Sequence, residues 1–312
     1  MIGLLIQVLD FALPVLAMIF VGLVGTGVLV ELGLMQKFSR LVRPIFAYTN
    51  LPDTCASTFL VSIGSTVAAN SMLFQAKKEN CLEDREILLC AMMNATPAYF
   101  RELFTYQIPV VLPALGLVVG GFYSLVFIVT AVFKILVVAI ASKLFLKGNS
   151  CRAPEPQDRE KVSLKTAVDR AFRKEFRAFL KIAGVYLIAT TIVFALQEQG
   201  AFEIFSVLPL AEFFKIPPES IVPLTSYVAS PILGISLLGP MIHSGEITNI
   251  QAMIVLMLGS MFMLPIFALR SQLPGKVAIF GTRLGFQIVV YSTAISVLVR
   301  LAILLLLLSI AP

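Results

Sequence analysis

From Ile108 to Leu146 the chain runs for 39 residues with almost no polar side chain. As one helix this stretch would be about 58 Å long at 1.5 Å per residue. The hydrocarbon core of a bilayer is only about 30 Å thick. The run is therefore too long for one crossing, and it must break. Gly120-Gly121 is the expected break, giving a half-helix over 109–119 and a full span over 122–146. The rest of the chain is of the same kind: 58% hydrophobic and 13% charged over 312 residues, against about 25% charged in a soluble protein. The fold class is all-α polytopic membrane protein. Alternating strands of about ten residues, the mark of an outer-membrane barrel, are absent.

Around this run the chain reads as a series of spans: Asp10 to Leu34, Ile87 to Tyr106, Phe179 to Leu196, Ile250 to Leu269 and Leu284 to Ile310, with a short basic half-helix over Arg270 to Arg283. Two segments differ. NLPDTCASTFLVSIGSTVAANSMLFQA (50–76) and KIPPESIVPLTSYVASPILGISLLGPM (215–241) are apolar enough to enter a bilayer, yet small and hydroxylated residues run through their middles. A plain span has no use for these. Broken or re-entrant helical hairpins do, because backbone groups freed at membrane depth must be satisfied by protein, ligand or water. The one long polar stretch is 147–178. Its second part, Ser163 to Arg177, puts Leu164, Ala167, Val168, Ala171, Phe172 and Phe176 on one face, as expected of an amphipathic helix on the membrane surface.

A shift of 165 residues lays 50–120 on 215–285 without a gap. The pairs include Pro52/Pro217, Ser65/Ser230, Ser71/Ser236, Gln107/Gln272, Pro109/Pro274, Gly116/Gly281 and Gly120/Gly285. Gln-x-Pro followed by two glycines four apart is structural punctuation rather than apolar filler. The expected organisation is a first repeat over 1–146, a basic linker over 147–178 and a second repeat over 179–312.

Loop charge gives the repeat a hand. The first span is followed by Lys37, Arg40 and Arg43; the equivalent loop, 197–214, carries Glu198, Glu203 and Glu212 and no base. The 77–86 turn has three bases and 242–250 none, whereas 107–121 has none and 270–283 has three. Under the positive-inside rule the halves face opposite ways, which is an inverted-topology repeat. The linker is then cytoplasmic, in a cell membrane, and both termini lie outside. No basic, cleavable leader is read at the N-terminus.

The polar residues at membrane depth are mostly neutral. Candidate solute-binding residues are Ser62, Ser65, Thr66, Asn70, Asn94, Gln107, Ser226, Ser230, Ser236 and Gln272. The expectation is a single central cavity with Ser65, Asn70, Ser230 and Ser236 at the hairpin tips. Small and hydroxylated residues also serve as plain helix-packing contacts. Among the charges, Arg101 and Glu102 are expected at the membrane boundary, and Lys134, deep in its span, is placed to meet an anionic group or a carboxylate. Glu31 or Glu198 is a candidate for proton coupling. There is no paired intramembrane carboxylate, no phosphate-binding loop and one histidine, His243, so no catalytic residue and no enzyme activity are read. Cys55, Cys81, Cys90 and Cys151 have no metal-ligand spacing and are expected as free thiols near a reducing cytoplasm, with no metal site. No cofactor is implied; a coupling ion, Na⁺ or H⁺, is compatible. Expected partners are a small-molecule solute, membrane lipids and, compatibly, a second copy in a homodimer, with no nucleic acid.

LPDTCASTFLVSIGSTVAANSMLF and IPPESIVPLTSYVASPILGISLL, each followed by a span and the Gln-x-Pro half-helix, resemble the Gate, or nucleoside-recognition, domain family, as two Gate-like halves. That family is similar in its core to concentrative nucleoside transporters and to the membrane domain of the bacterial ferrous-iron transporter. The resemblance implies two hairpins meeting at the centre and transport or gating as the activity. It does not name the solute. A nucleoside's ribose would favour acidic and amide side chains, and the acids here, Asp53 and Glu219, lie only at the segment mouths, which speaks against nucleoside specificity. The leading expectation is a secondary transporter or gated pore for a small polar or amphipathic solute. The alternative is a non-transporting membrane scaffold with the basic linker as its docking surface.

Overall fold

The computed structural model describes residues 46–147, 163–198, 214 and 218–310, together with a set of positions between 6 and 28. Glu31, the Lys37–Arg43 loop, most of the polar linker including Cys151, and Glu203 and Glu212 lie outside the described residues. Every regular element among the described residues is a helix. In chain order these are α1 (Asp53–Gly64), α2 (Thr66–Lys78), α3 (Asp84–Met93), α4 (Thr96–Glu102), a π-helical stretch Leu103–Val111, α5 (Leu112–Phe145) and α6 (Leu164–Glu198). Then follow α7 (Ile221–Ala229), α8 (Pro231–Ser244), α9 (Asn249–Phe267), a second π-helical stretch Ala268–Gln272, α10 (Leu273–Phe280) and α11 (Thr282–Ile310). Among the described residues, three stretches are long and apolar enough to cross a membrane: Leu112–Phe145, Asn249–Phe280 and Thr282–Ile310.

The two polar segments are broken helices. In each, one serine in extended conformation separates two short legs: Ser65 at φ −150°, ψ 112°, and Ser230 at φ −153°, ψ 114°. The longest leg, α8, has 14 residues, about 21 Å of helix, too short to cross alone. The chain folds back at the break. Gly234 lies so close to Tyr227 that a Cβ added to it would sit 2.4 Å from the tyrosine Cβ.

The 165-residue repeat is written in the backbone. Glu83 and Thr248 both cap the following helix in a reciprocal box, with Glu86 and Gln251 as the returning side chains. The π-helical stretches begin at Leu103 and Ala268. Gly116 (φ 77°, ψ 170°) and Gly281 (φ 86°, ψ 166°) then turn the chain in a conformation that only glycine adopts cheaply. Gly116, not Gly120-Gly121, is therefore the break in the long apolar run. Gly120 does a different job. Its backbone lies on the preceding half-helix, where a Cβ would meet Leu112 Cα at 2.9 Å, and Gly285 lies in the same way on Lys276 and Val277.

The compact units do not follow the two halves of the chain. The first is built from residues 1–98, 134–195 and 270–290; the second from 99–133, 196–269 and 291–312. Each thus holds one hairpin and the half-helix of the other repeat. In the first unit α10 packs on α2. In the second, Gly239 of α8 lies against Ala114 of the first repeat's half-helix, where a Cβ would come within 2.5 Å of the Ala114 carbonyl oxygen.

Two further expectations are corrected. Residues 164–177 are helical, but they do not form a separate surface helix. α6 continues from Leu164 to Glu198 without a break, since no glycine or proline interrupts it before Gly184. Its apolar stripe packs on the first span: Phe20 meets Phe172 at 5.7 Å and Phe179 at 4.9 Å, both edge to face. The described cysteines are not free thiols. Cys55 and Cys90 form a disulfide with Cα atoms 5.3 Å apart, because α1 and α3 pack with these positions facing one another. Cys81 is disulfide-bonded as well.

Candidate functional site

In the first unit the predicted polar residues gather around the hairpin and α3. Ser65 Oγ accepts a hydrogen bond from the Ala68 N–H at 3.2 Å, so the residue that breaks the helix also caps its second leg. Ser62 is buried and donates to the Phe59 carbonyl at 2.6 Å. Thr58 Oγ1 lies 3.0 Å from the Cys55 carbonyl oxygen and 3.3 Å from Asn94 Oδ1, tying α1 to the end of α3. Thr66 is half-buried just past the break. Gln272 ends the second π-helical stretch and is half-buried.

Three buried polar atoms of this unit have no hydrogen-bond partner: Asn70 Oδ1 on α2, Asn94 Nδ2 at the end of α3, and Lys276 Nζ on α10. Buried polar atoms in native proteins are almost always paired, so each is a place where a ligand or water is owed.

The second unit holds Gln107, Ser226, Ser230 and Ser236. Gln107 is buried in the π-helical stretch, and neither its Oε1 nor its Nε2 has a partner. Single π turns inside helices recur at functional sites because they displace one residue from the helical register. Ser226 and Ser230 are half-buried and Ser236 is exposed. Around them the unit is apolar, with Val111, Leu115, Tyr123, Leu224, Tyr227, Ile235 and α9 in one core cluster. The Tyr123 and Tyr227 hydroxyls are hydrogen-bonded to each other. Arg300, 1% exposed, donates from Nε to Ser260 Oγ at 3.1 Å and from Nη1 to the Ser296 carbonyl at 3.0 Å, over the Phe127 ring. It is a well-held cation that ties α9, α5 and α11 together.

Ser65, Asn70 and Asn94 therefore belong to one unit and Ser230 and Ser236 to the other. Lys276 was missed, because counting bases along 270–283 treats it as a loop charge. The signal that could have found it is its position inside LPGKVAIF, two residues past a helix-starting proline and flanked by apolar residues. Arg300, near the centre of an apolar stretch, carries the same signal and is read from the sequence as a charge within a span.

Residues 12–120 match the family model described as Gate, nucleoside recognition. Over these residues the chain is similar to that family. The match ends at Gly120, where the first half-helix has turned back on itself; the second repeat is tied to the Gate region by the shared breaks, caps and turns 165 residues on. Three uncharacterized proteins of Methanocaldococcus jannaschii are similar over most of their length. MJ0880 is 22% identical over 97% of this chain and 99% of its own. MJ0871 is 24% identical over 87% and 85%, and MJ1556 is 25% identical over 90% and 90%. The Gate region and the hairpin after it thus recur together in these relatives. No solved structure matches the chain.

Proposed function

We propose that this chain is a secondary transporter or gated pore for a small polar or amphipathic solute. The reading rests on one observation above the rest: the same single-serine break, at Ser65 and Ser230, in two short-legged hairpins. A scaffold has no need to interrupt helices at membrane depth. A transporter does, because interrupted helices offer backbone groups and side chains to a solute and can shift as short rigid legs. The unpaired amides of Asn70, Asn94 and Gln107 support the same reading, since neutral amides suit a polar organic solute. The repeats insert with opposite orientation, the 147–178 linker is cytoplasmic, and exchange between inward- and outward-open states is driven by Na⁺ or H⁺. Nucleosides are the first solutes to test, from the family's description.

Purified protein in proteoliposomes, given an imposed Na⁺ or proton gradient, is expected to accumulate a labelled nucleoside, and Asn70→Ala to lower that uptake at least tenfold. Orientation is tested separately by labelling single cysteines introduced at Lys37 and Glu203 in intact cells. The described native cysteines can stay in place, being disulfide-bonded. Labelling of both positions from the same side would make the repeat parallel and remove the basis for alternating access.

A further inference from the structure

Set position by position against its repeat, the first unit carries polar residues at four places where the second has an aliphatic, aromatic or glycine residue. Val111, Tyr227 and Ile235 are buried in the core cluster of the second unit. Shifted by 165, their counterparts are Lys276, Ser62 and Asn70. Gly259, which in the second unit lies under the Tyr227 ring, corresponds to Asn94. The three partnerless atoms of the first unit, Asn70 Oδ1, Asn94 Nδ2 and Lys276 Nζ, thus all stand where the second unit has apolar side chains or glycine.

Lys276 is the member that decides the ligand. Its Nζ is buried without a hydrogen-bond partner. Its partial compensation is the Phe280 ring, with the centroid at 5.9 Å. A second buried cation, Lys134, acts on it. Two cations together in a low-dielectric interior repel, and an isolated buried ammonium is costly. The same place gains what it lacks when an anion enters. Asn94 Nδ2 is a second waiting donor, and the amide of Asn70, whose oxygen and nitrogen can exchange places by a half-turn, is a third polar contact.

We infer that the first unit holds an anion-binding site, with Lys276 and Asn94 as donors to the oxygens of a carboxylate or phosphate group on the solute. The site rests on the transporter reading only for its role; the binding itself does not. The second unit, with Val111, Ile235 and Tyr227 in the same places, is the non-binding copy.

The test is thermal unfolding of full-length protein in neutral detergent, titrated over a constant chloride background with inorganic phosphate, acetate, uridine 5′-monophosphate, uridine, and phosphatidylglycerol added to the micelles. Phosphate or acetate, or the monophosphate but not uridine, is expected to raise Tm by several degrees. Lys276→Val, the second unit's own solution, is expected to abolish that rise and to unfold at a higher temperature than wild type without ligand. If only phosphatidylglycerol stabilises, and does so through Lys276, the anion site stands and its ligand is a lipid headgroup. Lys276→Gln serves where the valine variant does not fold. If no anion shifts wild type, or the shift persists in both variants, the site is overturned. Nucleoside flux without any anion effect would overturn the site and leave the transporter reading in place. Anion binding without flux would do the reverse.

Discussion

The two hairpins have the same break and are held shut by different means. In the first, the legs are small and polar inside, with Ser62, Ala69 and Asn94 at the crossing, and the Cys55–Cys90 disulfide ties α1 to α3. In the second, the corresponding residues are Tyr227, Gly234 and Gly259. There the large ring fills the space that Gly259 leaves open, where a Cβ would sit 2.8 Å from the Tyr227 ring, and Gly234 lets the backbones of the two legs meet. The cysteine positions correspond to Ser220 and Val255, so no covalent link is available. The serine breaks differ as well. Ser65 caps the leg that follows with its own hydroxyl. Ser230 makes no such bond, and Pro231 at the first helical position leaves that helix end one orphan N–H fewer. A duplicated element keeps its backbone while its interior is redistributed. Packing can hold a hairpin whose inside is apolar. A hairpin whose inside must stay polar loses that packing energy, and here a covalent bond stands in its place.

The largest effect is expected from removing the ring. Tyr227→Ser gives the second hairpin the residue of the first without the disulfide, and should cost about 3–5 kcal/mol as a large-to-small change in a packed site. Denaturant unfolding monitored by circular dichroism measures it; a loss below about 1 kcal/mol would mean the ring is not what closes the hairpin. Next comes the covalent link. The double change Cys55→Ser with Cys90→Ser should cost roughly 2–4 kcal/mol, and limited proteolysis should open the 53–93 region before the 218–267 region. Equal opening of both would end the contrast between covalent and packed closure. Gly234→Ala should cost about 1–3 kcal/mol through overpacking on Tyr227. The same change in a Tyr227→Ser background should cost about as much, because the clash is with the Cβ, Cα and N of residue 227, which serine keeps. The smallest effect is at the caps. Ser65→Ala should lose about 1 kcal/mol, whereas Ser230→Ala should be near neutral on this count, both read from Tm in detergent. A larger loss at Ser230 would give that hydroxyl a partner other than the helix end.

Much of the fold was legible because it depends on local chemistry. The breaks at Ser65 and Ser230 could be read from hydroxyls and glycines in apolar runs, and the half-helices from Gln-x-Pro. The Gly116 turn was one turn away from where it was expected. Gly120-Gly121 is the stronger helix-breaking pair in isolation, but the left-handed turn is needed earlier, so that Gly120 can lie on the half-helix it has just left. Ser62, Asn70, Asn94 and Gln107 were chosen as polar residues in apolar surroundings, and each is buried. Ser236 was chosen by the same rule and is exposed, because periodicity within a broken helix does not tell which face meets the partner leg.

The sequence by itself determined that the chain is helical and apolar enough for a membrane, that it repeats after 165 residues, and where its helices are interrupted. All of these follow from hydrophobic length, turn chemistry and cap residues, which act within a few residues of one another. The tertiary structure alone decided which half-helix packs on which hairpin, and with it the fate of the charges. Lys276 follows its own hairpin in the chain but is buried in the unit of the other one. Cys55 and Cys90 stand 35 residues apart and pair only because α1 and α3 lie side by side. A side chain's charge or thiol is fixed by the residue type. Whether it meets lipid, water or another side chain is set by the partner element, and no local pattern encodes that choice.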